Sequence, residues 1–314
     1  MKSTFSEFYR LSDDDFKKIW DECLFVFDAN VLLHLYMYSQ GTSQEFLKII
    51  NDPKIRNRVW MPHQFAFEYQ RRRRRIIFEQ KRSYQKLEEK IGQLIKDFEN
   101  HPFLKMKEVM DPSMKKINEA KRKHPKWDEE DPIRDSITSL FEDRVGKPFS
   151  ESELGEIYKE GQTRFSKKIP PGFLDQTKDA EAKYGDLIGW KQILNYAKEV
   201  SKPIIFITDE KYEDWWWKIN DEIVGPRYEL VKEMSVFCGM FFTMYNSRLF
   251  HKQAAKFLKR KINQNVNKEI TEITESHLPK EEVNVTPNQV KHNLNEELGT
   301  GEKTDCLDAG EPII

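Results

Sequence analysis

Leu24–Leu35, LFVFDANVLLHL, opens on four apolar residues, stops at Asp28 and passes through Ala29 and Asn30 into an apolar series of helical character. Aromatic and β-branched residues without polar alternation read as a strand buried on both faces, as in a parallel sheet. Such sheets bind ligands beyond the carboxyl ends of their strands. Asp28 therefore stands where chemistry is done, although Asp is also a favoured N-cap and could serve only the helix that follows.

The pattern returns near the other end of the chain. Pro203–Thr208, PIIFIT, is a second buried strand ending in acids, Asp209 and Glu210, with Asp214 one helical turn later. Two shorter strands are expected at Arg58–Met61, stopped by Pro62, and at Met240–Tyr245. After Pro62 comes HQFAFEYQRRRRRIIFEQ, where Phe65, Glu68, Arg72 and Arg75 recur at helical intervals and share one face. The ordinary reading is a solvated helix with intrahelical ion pairs, but it does not explain an acid just past a strand end. Asp186 heads another helix, whose apolar face is Leu187, Ile188, Trp190, Ile193, Leu194 and Ala197. A capping role would account for Asp186 alone.

Around these elements the chain divides. Residues 1–22 read as a leader helix with a packing role, and residues 23–262 as one domain. Residues of about 78–168 form a charged, helix-rich insertion in which Ser150 and Glu153 fit a capping box, and residues 263–314 a mostly disordered polar tail with room for a helical turn or two. Trp215, Trp216 and Trp217 could stack on bases or pack under the insertion. Helices α-to-β in this order predict an α/β class with a central parallel sheet.

Of the 314 residues, 38% are hydrophobic and 33% charged, enough for a real core, and the run of apolar residues a membrane span needs is missing. No secretory signal is expected, so a cytoplasmic location is the default. Cys23, Cys238 and Cys306 show no paired spacing, which argues against a disulfide framework or a cysteine zinc site. The net charge of −1 hides a segregated pattern: Arg71–Arg75 is a run of five arginines, followed by Lys81 and Arg82, while acids collect at Asp128–Asp131 and in the tail.

Right-handed crossovers between these strands would gather Asp28, Glu68, Asp186 and Asp209 at one sheet edge. Four carboxylates there repel one another, and hard divalent cations such as Mg²⁺ or Mn²⁺ relieve that repulsion. Acids holding metals, beside arginines that grip phosphates, suit phosphodiester hydrolysis.

LFVFDANVLL, the Glu68 helix, IPPGF, GDLIGW and FITDEKYEDWW, in this order, resemble the PIN-like nuclease domains, in particular larger bacterial ones with a helical insertion. The likeness covers roughly Leu24–Lys261. It implies a three-layer α/β/α PIN-like fold and a metal-dependent endonuclease, usually of single-stranded RNA. It also implies that Asp28, Glu68, Asp186 and Asp209 are catalytic metal ligands for Mg²⁺ or Mn²⁺. Asp209 is preferred over Glu210 as the fourth acid, with Asp214 an outer partner. Thr208 would hydrogen-bond within the site and Asn30 would orient Asp28. Arg72, Arg75 and Lys178 are candidates for phosphate contact. The partner expected is nucleic acid, RNA ahead of DNA, with no membrane; a homo-oligomer, an inhibitory protein partner and a defence or toxin-like setting are left open. The alternatives are a structure-specific or single-strand DNA nuclease, and a binding module that kept the fold without catalysis.

Overall fold

The computed structural model describes Met1, residues 13–178 and residues 182–276. Its strands are β1 (Leu24–Phe27), β2 (Val59–Trp60), β3 (Ile204–Ile207), the pair β4 (Trp216–Ile219) and β5 (Glu222–Pro226), and β6 (Phe242–Tyr245). The helices of the first half are α1 (Asp13–Glu22), α2 (Ala29–His34), α3 (Gln40–Ile50), α4 (Pro53–Arg56), α5 (His63–Asp97) and α6 (Met106–Lys123). Those of the second half are α7 (Pro132–Phe141), α8 (Glu151–Ser166), α9 (Gly185–Val200), α10 (Tyr228–Cys238), α11 (Ser247–Phe257) and α12 (Gln264–Ser276).

Strands β2-β1-β3-β6 form a parallel sheet in that order, with Phe27 opposite Ile207 and Ile207 opposite Tyr245. The chain steps from β1 to β2 on one side and returns to β3 on the other, so the carboxyl ends of β1 and β3 flank a topological switch point, where α/β sheets leave a crevice.

Alternation along the strands builds the three layers. Phe25 and Phe27 of β1 turn to one face and meet Phe250 of α11, with ring centroids 5.9 and 5.3 Å apart, and Phe46 of α3 lies 5.8 Å from the same ring. On the other face Phe206 stacks on Phe65 of α5 at 5.7 Å, and Phe242 meets Trp190 of α9 at 4.9 Å. The result is an α/β/α sandwich with a continuous apolar core.

Close approach of α5 and α9 depends on missing side chains. A Cβ on Gly189 would lie 2.3 Å from the Phe65 ring, and one on Gly185 would lie 2.8 Å from Glu68 Oε1. These glycines, four residues apart on one helical face, let α9 sink against α5 and bring Asp186 toward Glu68. Gly189→Ala should therefore cost about 1–3 kcal/mol, read as a lowered midpoint in urea unfolding; an unchanged midpoint would mean that α5 shifts without cost.

Three expectations change. The Glu68 helix and the first helix of the expected insertion are one continuous 35-residue helix, α5. The tryptophan cluster runs into an unforeseen hairpin, β4–β5, turned by Asn220 and Asp221, both left-handed with φ of 50° and 64°. The expected tail begins with a helix, α12, because Val266 and Ile270 bury an apolar stripe against the rest of the fold. Glu269 on that helix accepts hydrogen bonds from Ser39 Oγ at 2.8 Å and Thr42 Oγ1 at 2.6 Å, fixing it to the start of α3. The remainder of the expected tail, residues 277–314, and the leader before residue 13, apart from Met1, lie outside the described residues. The capping box on α8 is formed as expected. No helix among the described residues is long and apolar enough to cross a membrane.

Candidate active site

Asp28 follows β1 and occupies the N-cap position of α2, but its side chain makes no capping bond. Its Oδ2 instead accepts hydrogen bonds from Thr208 Oγ1 at 2.6 Å and Asn30 Nδ2 at 2.7 Å, which aims the carboxylate at the switch point. Thr208 comes from the end of β3, and Asn30 Oδ1 in turn accepts the Asp209 N–H at 3.1 Å, so the two strand ends are laced together. Asp186 does not cap α9 either. It lies in the first turn of the helix, and its Oδ2 accepts the Trp215 indole N–H at 3.0 Å. Glu68 Oε1 accepts the Gln64 amide at 2.8 Å.

These acids are buried, and their charges act on one another. Burial pushes the Asp28 carboxyl up, partly offset by the Thr208 hydrogen bond and the Arg72 charge. Glu68 is raised by burial and by Asp28, against the opposing Gln64 bond and the charges of Arg72 and Lys178. Asp186 is raised well above the ordinary carboxylate range by burial together with the charges of Asp175, Asp214, Glu210 and Glu68. Glu210 is pushed up to about 7, by burial first and Asp28 next. Burial is the first cause in each case, and for Glu68, Asp186 and Glu210 the charges of other carboxylates add to it.

Asp209 is the expected site residue that the structure does not bring to this cluster. It is buried on the opposite side of the chain, where Oδ1 accepts Ser247 N–H at 2.8 Å and Oδ2 accepts Ser247 Oγ–H at 2.6 Å and lies 2.8 Å from His34 Nδ1. Adjacent residues in extended backbone point to opposite sides; with Asp209 turned inward to α2 and α11, Glu210 turns the other way, and Asp28 is the first of the charges that act on it.

Two further acids join the cluster. Asp214, anticipated as an outer partner, is raised to about 6 by burial and by Asp175; its Oδ2 accepts the Gly172 N–H at 3.0 Å, while its buried Oδ1 has no partner. Asp175 went unforeseen. It is delivered by the Ile169–Asp175 loop, which Arg164 fixes by donating to the Pro170 carbonyl while it pairs with Glu233 at 2.8 Å. An acid three residues after a Pro-Pro-Gly turn was the available signal.

Of the expected phosphate contacts, Arg72 is half-buried and acts on both Asp28 and Glu68. Lys178 Nζ lies 2.9 Å from Asp175 Oδ2 and also acts on Glu68. Arg75 is exposed and pairs with Glu79 at 2.8 Å. Trp215 and Trp216 are buried, their indole N–H groups spent on Asp186 Oδ2 and on the Glu210 carbonyl, so they pack the site from below.

Buried carboxylates are the oxygen donors that hard divalent cations prefer. Among the described residues, no group of three or more His, Cys, Asp or Glu side chains is arranged to hold a metal ion.

No curated protein and no solved structure matches the chain significantly. The profile of the PIN like domain matches residues 24–230, a span that begins at β1, contains Asp28, Glu68, Asp175, Asp186, Glu210 and Asp214, and takes in well over half of the 314 residues. The chain therefore belongs to the PIN-like domain family, whose members are in general nucleases.

Proposed function

We propose that the protein is a divalent-metal-dependent endonuclease that hydrolyses single-stranded RNA. One observation carries the reading: Thr208 at the end of β3 bonds Asp28, and the adjacent indoles of Trp215 and Trp216 bond Asp186 and the Glu210 carbonyl, which ties acids distant in sequence to the carboxyl edge of one parallel sheet. The choice of RNA rests on the family resemblance of the motifs.

In this reading Asp28, Glu68, Asp186 and Glu210 would hold Mg²⁺ or Mn²⁺, with Asp214 and Asp175 supporting them. Glu210 replaces Asp209 in that set because every Asp209 oxygen is already engaged. When bound, such ions supply Lewis acidity to phosphodiester hydrolysis. The protein supplies the rest. Thr208 and Asn30 keep Asp28 Oδ2 in one orientation, and Trp215 does the same for Asp186. Arg72 and Lys178, the cations that reach the acids, draw backbone phosphates toward a pocket that would otherwise repel them.

Incubation with matched single-stranded RNA, single-stranded DNA and duplexes in Mn²⁺ should give cleavage of the RNA strand, abolished by chelation. Glu210→Gln should lower the rate at least about 100-fold. Faster cleavage of DNA would move the substrate, and a wild-type protein inert toward all polymers would end the reading.

A further inference from the structure

We propose that Tyr212 is a base-stacking residue, which seats the nucleotide next to the scissile phosphate at the rim of the acid cluster. This rests on the nuclease reading above and goes beyond it, because it assigns a residue to the recognition of the base.

Single exposed aromatic side chains are ordinary on protein surfaces. Tyr212 differs in its place and in its support. It follows Glu210 by two residues and is 52% exposed. It lies between Glu210 and Asp214, in a turn that the Trp215 indole ties to Asp186 Oδ2 at 3.0 Å, so the ring leaves the chain within the segment that carries two of the acids. The backbone beneath it is clamped. Its carbonyl accepts the N–H groups of Trp215 at 3.2 Å and Trp216 at 3.1 Å, both buried residues, and the Trp216 indole holds the Glu210 carbonyl at 2.6 Å. A ring that protrudes into solvent from a fixed backbone loses little conformational freedom on binding.

Other acid-bearing segments also carry exposed apolar side chains. Leu174 is 43% exposed immediately before Asp175, and Phe67 is 52% exposed immediately before Glu68. Acids that engage a phosphate contribute nothing to holding the attached base, and the π-face of an unpaired base needs an apolar surface. Tyr212 offers the flat one.

The test uses the full chain with Mn²⁺ and a single-stranded RNA cut at one position, together with a set of strands carrying one abasic nucleotide at successive positions around the cut. Tyr212→Ala should raise KM about 10-fold with kcat nearly unchanged, since a stack held equally in ground and transition states acts on binding. Tyr212→Trp should restore the loss. At one abasic position wild type should lose about 10-fold in kcat/KM and Tyr212→Ala should lose nothing further, because the base that the ring would hold is already gone. Tyr212→Ala cleaving every strand as wild type does, or losing the same factor at every abasic position, would overturn the assignment while leaving the nuclease reading intact. A wild type that cleaves no strand would overturn both.

Discussion

Asp209→Ala should melt roughly 10 °C below wild type, the largest stability loss expected of any single acid near the site. Three buried polar groups lose their acceptor at once: Ser247 N–H, Ser247 Oγ–H and His34 Nδ1. Burial alone would raise the Asp209 carboxyl, yet the bonds and charge of His34 and then the bonds of Ser247 hold it below the ordinary value. Breaking such a buried, charge-assisted network by removing one partner costs about 3–5 kcal/mol, and a domain of this size loses about 2–4 °C per kcal/mol. The location explains the size of the effect. Asp209 ties the end of β3 to α2 through His34 and to the first turn of α11 through Ser247, where a negative charge also complements the helix dipole. Because its folded pKa is depressed, this stabilisation is complete above the unfolded pKa of about 4 and is lost as pH falls through the folded value. Calorimetry of wild type and variant from pH 7 to pH 3 should show the two curves converging at the acid end. A variant that melts like wild type while losing nuclease activity would return Asp209 to the active site.

This network also explains where the sequence stopped being legible. The two strands that matter, LFVF and IIFI, announce themselves because a strand covered on both faces has no polar alternation to confuse, and the acids at their ends follow from the rule that parallel sheets work at their carboxyl edges. The choice between Asp209 and Glu210 could not be read the same way. Alternation says that the two point apart, but which points where is decided by Ser247, 38 residues on, and His34, 175 residues back. Asp175 was hidden for a similar reason: it reaches the cluster only because Arg164 and Gly172 N–H fix a loop against Asp214. The hairpin β4–β5 could have been found, since Asn220-Asp221 is a favoured pair for a turn with both central residues left-handed. Helix α12 was masked by its polar composition, in which a narrow stripe of Val266 and Ile270 is enough to dock it.

Asp186→Asn should behave in the opposite way to Asp209→Ala, removing activity while making the metal-free protein more stable at alkaline pH. Asp186 is buried among Asp175, Asp214, Glu210 and Glu68, and its carboxyl is held well above the range it would show in an unfolded chain. The folded protein therefore binds more protons than the unfolded chain wherever pH lies between the two values, and stability falls as pH rises through that window. Glu210, at about 7, and Asp214, at about 6, add to the fall over the same interval. An amide at position 186 removes one charge from the set and can still accept the Trp215 indole N–H through its own oxygen. At pH 8 the chelated variant should exceed chelated wild type by about 1–3 kcal/mol, a few degrees of melting temperature, and the difference should close near pH 4, where wild-type Asp186 is already protonated. Added Mn²⁺ should reverse the order, because ligand binding stabilises the state that binds it and wild type keeps the full carboxylate set. Thermal melts of both proteins with chelator and with Mn²⁺, at pH 4, 6 and 8, read all of these outcomes. A variant less stable than wild type in chelator at pH 8 would mean that the Asp186–Trp215 bond outweighs the repulsion, and that Asp186 is held in place by the fold more than it is strained by its neighbours.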